Sequence, residues 1–308
     1  MKNILLLGGN GYIGTRLQSS FREDFNLKVV DLNWFSKNFV EGFDYSKLSE
    51  EEIQKHDVVI LLAGHSSVKM CQNNRLSSFN NNVKNFITLL DKINLDQKFI
   101  YASSSSVYGN TNNKIVDESY DQFIPNNYYD LTKQIIDFYA VQSKLNYYGL
   151  RFGTVNGWSE NLRNDVMINA MFDSAMRDGH IKLYIKNINR PILGINDLSR
   201  CIRTLIDAEK SHPGIYNLAS FNSTAIEIAN TVSRIIDKPV IEYQPDKIEK
   251  ITNEKLQSNA YDFAIDCSKF TSTYNFEFKD TIESITKELI GGYNSCNKSS
   301  RGEGKEYE

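Results

Sequence analysis

The sequence is poor in the residues that hold metals and disulfides. It has four cysteines and four histidines in 308 residues. Cys71, Cys201, Cys267 and Cys296 lie far apart with no CxxC pair, and His56, His65, His180 and His212 show no ligand spacing. No metal site is therefore expected, and the reducing cytoplasm is the natural compartment. An excess of charge is missing too: the net charge of −3 offers no basic field for nucleic acid or an anionic membrane. Long apolar runs are also absent. VVILLA at 58–63 is far shorter than the roughly 20 residues that cross a bilayer. The start, MKNILLLGGNG, combines a lysine with a short apolar run, but glycines follow and no small-residue cleavage pattern does. It reads as a buried strand rather than a signal peptide.

What is present is ordinary globular composition, 41% hydrophobic and 24% charged, enough for a sizeable core and a smaller second lobe. Short apolar runs at 4–8, 27–32, 57–63, 98–103 and 147–153 alternate with amphipathic segments, the clearest at 81–93 and 129–145. That alternation is the signature of βαβ units, and nearly all-apolar strands imply a parallel sheet covered on both faces. The fold class is thus α/β: a Rossmann-type doubly wound parallel sheet with a smaller, mixed α/β substrate lobe. Residues 1–155 form the expected dinucleotide domain, with returns to the sheet near 191–220. Residues 156–190 and 221–292 form the lobe. The polar, Gly/Ser-rich stretch 293–308 reads as a disordered tail.

In LLLGGNGYIGTRL, Gly8, Gly11 and Gly14 fall between a strand and a helix. Glycines there allow a tight turn and a close approach to a pyrophosphate at the helix N-terminus. Asp31 ends the second strand. Its carboxylate can accept hydrogen bonds from a ribose diol and would repel a 2′-phosphate, which favours NAD over NADP. Further along, NNYYDLTKQ at 126–134 holds two tyrosines and a lysine. Tyr129 and Lys133 are four apart and share a helix face, whereas Tyr128 is five from the lysine. On its own such a pair is surface decoration more often than chemistry. It gains weight from the serine cluster YASSSSVYG, which closes the preceding strand where open α/β sheets bind ligands.

Taken together, GGNGYIG, Asp31, LLAGHSSV, NNV at 81–83, SSSSVYG, YYDLTK and LRFGTVNG resemble, in order and spacing, the extended short-chain dehydrogenases/reductases. More narrowly they resemble the NAD-dependent epimerase/dehydratase family acting on nucleotide sugars, over about the first 270 residues. The resemblance implies that Tyr129 is the acid/base toward a sugar hydroxyl, and that Lys133 binds the nicotinamide ribose and lowers the tyrosine pKa. Ser104 would hydrogen-bond the reacting oxygen. Gly8, Asn10, Gly11, Tyr12, Ile13, Gly14 and Asp31 would hold NAD, with Asp44 at the adenine, Ala63 beside the cofactor and Asn82 reaching a backbone or cofactor group. On the substrate side it implies Thr154, Asn169 and Arg190, the arginine taking a pyrophosphate with its planar donors.

There are departures. Ser105 and Ser106 stand where sugar-nucleotide dehydratases carry an Asp-Glu pair, which removes support from 4,6-dehydration. Thr154, Asn156 and Gly194 replace an asparagine, a tyrosine and a histidine common in relatives, and Tyr261 falls where many place a second phosphate-binding arginine. The leading expectation is an NAD-dependent nucleotide-sugar epimerase that oxidises C4 transiently. Its alternatives are a C4 dehydrogenase, reductase or dehydratase and, from another class, a non-catalytic NAD-binding protein. A homodimer is expected through segments 81–93 and 129–145, with Phe86, Leu89, Phe138 and Tyr139 as the apolar faces.

Overall fold

A computed structural model describes residues 1–35, 41–111, 114–122, 124–243 and 261–302. Six parallel strands build the main sheet: β1 Asn3–Leu7, β2 Asn26–Val30, β3 Val58–Leu61, β4 Lys98–Ser104, β5 Tyr147–Phe152 and β6 Gly214–Leu218. Their order across the sheet is β6-β5-β4-β3-β1-β2. Successive side chains of a strand point to opposite faces. Ile4, Leu6, Val58 and Ile60 therefore enter one core, against Leu17 and Phe21 of helix Tyr12–Phe21 and Leu198, Ile202 and Leu205 of helix Ile195–Asp207. Leu5, Leu7, Val59 and Leu61 enter the other, against helices Asn85–Leu90 and Tyr128–Gln142. Two buried faces explain why the strands read as continuous apolar runs. Each fully buried leucine among them contributes about 1.5–3 kcal/mol by removal from water.

From β1 the chain moves outward to β2, then crosses back over β1 to β3. That reversal opens a crevice at the carboxyl ends of β1 and β3, the place where open sheets take ligands. Gly8 turns there with φ +84°, and a Cβ on it would fall 2.3 Å from the backbone nitrogen of Ala63. Only a residue without a side chain lets the two loops meet so closely.

The lobe is built on a second sheet. Strand Asn189–Gly194 pairs in parallel with Thr154–Asn156 and antiparallel with Phe221–Thr224. Helices Met167–Asp178, Ala225–Ile236 and Ile282–Gly302 pack around Ile168, Phe172, Ile181, Ile228 and Leu289. The middle helix starts with a capping box between Thr224 and Glu227.

Three expectations are corrected here. Of the return near 191–220, only β6 joins the main sheet, because Asn189–Gly194 pairs within the lobe. The tail expected from 293 is helical to Gly302: Tyr293 sets its ring edge-on to Phe172 at 5.9 Å, and this docking extends the last helix. Residues 303–308 lie outside the described residues. Phe86 and Leu89 are 0% and 2% exposed and belong to the core, so of the expected interface residues only Phe138 and Tyr139 face outward.

Candidate active site

The glycine loop is shaped by contacts that exclude side chains. Gly14 lies so close to the strand-end loop that a Cβ would meet the carbonyl oxygens of Gly9 and Gly8 at 2.4 and 2.5 Å. Gly11 is the N-cap of helix Tyr12–Phe21 and brings no capping side chain, so the first-turn N–H groups face the crevice without a side-chain acceptor. Asp31, half-buried just past β2, accepts from the backbone nitrogens of Asn10 at 2.9 Å and Asn33 at 2.7 Å. Asn10 in turn gives its side-chain amide to Asn33 at 2.6 Å. Ile13 packs against the first core. Uncapped donors, a strand-end carboxylate and a loop pressed close by glycines form a donor set that fits a dinucleotide such as NAD.

Tyr12 takes a different part. Its hydroxyl donates to the carbonyl of Gly157 at 2.8 Å, which ties the glycine loop to the lobe. Burial pushes its pKa well above the ordinary value. Asp44 caps the short turn Tyr45–Lys47 by accepting from Ser46 at 2.9 Å, and it lines a 610 Å³ cavity with Leu32, Trp34, Asn74 and Asn81. Asn82 sits in a π-helical turn, Asn80–Lys84, and is 5% exposed. Its amide accepts from the backbone of His65 at 2.7 Å and donates to Thr132 at 3.1 Å. It thus pins the loop after β3, where Ala63 sits, to the helix that bears Tyr129.

That helix, Tyr128–Gln142, settles the two tyrosines. Tyr128 is exposed, with the Arg75 guanidinium 4.9 Å from its ring centre. Tyr129 turns inward, where the Ser104 hydroxyl acts on its phenol to favour the charged form. Lys133 donates to the carbonyl of Ala102 at 2.7 Å, with its nitrogen 5.8 Å from the centre of the Tyr129 ring. The fold thus gathers Ser104, Tyr129 and Lys133 at the carboxyl end of β4. Burial pushes the phenol up to about 12, opposed by Ser104 and by the charge of Arg163. Burial also pushes the Lys133 ammonium down to about 8. Arg163 is a second cation near the phenol, and its charge lowers the phenol's pKa.

Beyond the serine lies a network that sequence reasoning missed. Ser104 and Ser106 share a hydrogen bond of 2.7 Å, and Ser106 donates to Asp130 Oδ1 at 2.5 Å. Asp130 Oδ2 accepts from Asn127 at 2.6 Å and from the Tyr261 hydroxyl at 2.8 Å. The position of Asp130, directly after the reactive tyrosine, was the one available signal. Arg163 was missed as well. It pairs with Asp165 at 2.6 Å and reaches the carbonyl of Ser66 at 3.3 Å, bridging the lobe and the loop after β3.

The substrate-side residues divide. Arg190 donates to the carbonyl of Tyr261 at 3.0 Å, and its buried Nε has no hydrogen-bond partner among the described residues. A buried donor left open costs about 1–3 kcal/mol, a tension that an anionic ligand would relieve. Thr154 starts the lobe sheet, and its carbonyl accepts from Asn156 at 2.7 Å. Asn169, expected at the sugar nucleotide, is 0% exposed. Its amide is spent on Gly157 at 3.0 Å, Arg163 at 2.9 Å and the Tyr12 hydroxyl at 3.2 Å, so its contacts are internal. Asn156 caps the next helix through Ile168 at 2.8 Å. Gly194 leaves room for Asp280, whose carboxylate would lie 2.0 Å from a Cβ. A larger cavity of 690 Å³, lined by Met167, Met171, Lys182 and Tyr184, lies in the lobe and includes none of the Ser104, Tyr129 and Lys133 cluster. Among the described residues no three potential metal ligands come together, and no helix is long and apolar enough to cross a membrane.

Residues 4–219 match the model of the NAD dependent epimerase/dehydratase family. The chain is 28% identical to Protein CapI of Staphylococcus aureus, the match covering 66% of this chain and 69% of that protein. It is 31% identical to the UDP-glucose 4-epimerase of Mycoplasma genitalium over 50% of this chain and 53% of that one. Among solved structures, the UDP-glucuronic acid 4-epimerase from Bacillus cereus in complex with UDP-glucuronic acid and NAD has a TM-score of 0.80 at 19% identity, covering 96% of this chain and 99% of that chain. At that identity the likeness speaks for the fold.

Proposed function

Because the chain belongs to the NAD-dependent epimerase/dehydratase family, we propose that it epimerises a nucleotide-linked sugar at C4, with Tyr129 as the base. The observation that carries this reading is the convergence of Ser104, Tyr129 and Lys133 beside an uncapped glycine loop. NAD held in that cleft would supply the hydride-accepting and hydride-donating chemistry. Tyr129, as phenolate, takes the hydroxyl proton from C4 and later gives it back, while Ser104 holds the reacting oxygen in line. Lys133 keeps its ammonium anchored on Ala102, with further N–H groups to offer a nicotinamide ribose. Arg163 adds a positive charge that favours the phenolate.

Toward the nucleotide, Gly8, Asn10, Gly11, Tyr12, Ile13, Gly14, Asp31, Asp44, Ala63 and Asn82 shape the cofactor cleft, with Asn82 acting through the loop that it pins. Arg190 holds the sugar-nucleotide pyrophosphate with its open Nε, and Thr154 lines the sugar side. The serines at 105 and 106 favour epimerisation over 4,6-dehydration, which needs an acid and a base at those positions. The four free cysteines suit a cytoplasmic enzyme. A homodimer would pair through Phe138 and Tyr139, which are 61% and 48% exposed; light scattering that finds only monomer removes that part.

The decisive experiment compares wild type with Tyr129→Phe on UDP-, GDP-, CDP- and dTDP-linked sugars. Mass spectrometry and NADH absorbance would follow the products. Wild type should convert at least one sugar, and the variant should bind NAD yet form no product. Undiminished turnover by the variant would sink the reading.

A further inference from the structure

We propose that residues 157–163 form a latch across the cofactor crevice, with Asn161 as its bolt. The latch retains the reduced cofactor until the hydride has gone back to the sugar. The need for that retention rests on the epimerase reading, whereas the latch itself rests on hydrogen-bond geometry.

The segment GWSENLR leaves the lobe strand Thr154–Asn156 and is held at both ends by one side chain. The buried Asn169 amide accepts from the Gly157 nitrogen at 3.0 Å and donates to the Arg163 carbonyl at 2.9 Å. Trp158 and Leu162 pack onto the lobe core. Ser159, Asn161 and Arg163 reach the other way, into the nucleotide half. The Ser159 hydroxyl donates to the Tyr12 carbonyl at 2.8 Å, and Arg163 donates to the Ser66 carbonyl at 3.3 Å. Asn161 spends both hydrogens of its amide, one on the Asn10 carbonyl at 2.8 Å and one on the Phe35 carbonyl at 2.9 Å.

The acceptors give the segment its function. Asn10, Phe35 and Ser66 lie in the loops that follow β1, β2 and β3, whose order in the sheet is β3-β1-β2. The ties therefore step across the carboxyl ends of three neighbouring strands, from Arg163 at β3 to Asn161 at β2. A dinucleotide lies along the same line, its pyrophosphate at the glycine loop. A segment joined to all three loops closes the crevice over it, and release requires those bonds to open. Every acceptor is a backbone carbonyl, so each tie can be cut from the lobe side without altering the cofactor loops.

The reaction needs such a latch. Oxidation at C4 sends the hydride, with its two electrons, to NAD and the hydroxyl proton to Tyr129, and it leaves a ketone. If the reduced cofactor departs at that stage, one ketone and one NADH are set free, and the enzyme has worked as a dehydrogenase. Asn161 acts through the loops that it joins, so it is a positioning residue.

The test compares wild type, Asn161→Ala, Ser159→Ala and Asn164→Ala in the intact chain. Each is loaded with NADH, and release is followed by the loss of NADH fluorescence on adding excess NAD. Loss of the two Asn161 bonds should speed release roughly tenfold, and Ser159→Ala should speed it less. Asn164 lies just outside the segment and bonds Asp173 within the lobe at 3.1 Å, so Asn164→Ala should release at the wild-type rate. With a sugar that wild type epimerises and NAD in excess, Asn161→Ala should liberate NADH and ketone in equal amounts, and wild type neither. Release from Asn161→Ala at the wild-type rate overturns the latch, as does equal acceleration in Asn164→Ala. Were Asn161→Ala not to fold, Ser159→Ala would decide in its place. A wild type that converts no sugar would count against the epimerase reading instead, and the release rates would still decide the latch.

Discussion

The ammonium of Lys133 lies 5.8 Å from the centre of the Tyr129 ring while donating to the carbonyl of Ala102 at 2.7 Å. It is 8% exposed, and burial has pushed its pKa down to about 8 from 10.5. Between those values the unfolded chain binds more protons than the folded one, so stability rises with pH there. The full penalty applies below the folded value, and it amounts to about 3 kcal/mol. Relative to Lys133→Met, wild type should therefore gain stability from pH 8 to 10.5 and stay level below pH 8. Urea titrations across that range check this, and a constant difference would refute it. Lys133→Met should also lose turnover, since charge held near the phenol matters more to the reaction than to the fold.

Arg163 lowers the Tyr129 pKa from across the cleft. Removing that cation disfavours the phenolate, so Arg163→Met should move the limb of the rate profile that reports the phenol to higher pH, by about one unit at most. A profile left in place would show that the charge is screened from the base.

Two glycines of one loop should fail in different ways. Gly14→Ala forces a Cβ to within 2.4 Å of the Gly9 oxygen, whereas a Cβ on Gly11 meets only the Gly8 oxygen, at 3.5 Å. Gly14→Ala should cost about 1–3 kcal/mol through overpacking and lower Tm by several degrees. Gly11→Ala should keep its Tm but bind NAD at least roughly tenfold more weakly, because a methyl group would hold the pyrophosphate off the helix N-terminus. Thermal scans paired with NAD titrations separate the two effects.

Asp31 is expected to set cofactor choice. Asp31→Asn removes the charge that repels a 2′-phosphate and weakens the bond to a ribose diol by about 1–1.5 kcal/mol. NAD binding should fall roughly tenfold and NADP binding should rise. Isothermal titration with both cofactors gives the ratio; an unchanged ratio would assign the carboxylate to loop geometry alone, through Asn10 and Asn33.

Much of this was legible in the residues. The strands announce themselves because both faces of the sheet are covered. The spacing of Tyr129 from Lys133 also separated the inward tyrosine from its exposed neighbour Tyr128. Strand assignment could not say which sheet takes Asn189–Gly194, since pairing partners leave no trace in the period of a run as short as RPILG. Asn169 and Asn156 look like surface amides, yet both are buried at 0% exposure by a lobe whose shape no local pattern encodes. Asp130 reads as an ordinary acid at a helix start; its partner Tyr261 is 131 residues away. The first-turn acid, the serine pair and the distant tyrosine make sense only together.

The glycine loop is laced to the lobe at several points. Tyr12 reaches Gly157, Ser159 reaches the Tyr12 carbonyl at 2.8 Å, and Asn161 reaches the Asn10 carbonyl at 2.8 Å. The nucleotide half is therefore not a cassette that could be excised and grafted elsewhere. Stripped of residues 157–161 it would keep its strands but lose the braces that set its mouth, and a chimera carrying only the first 155 residues would inherit the glycines without their grip.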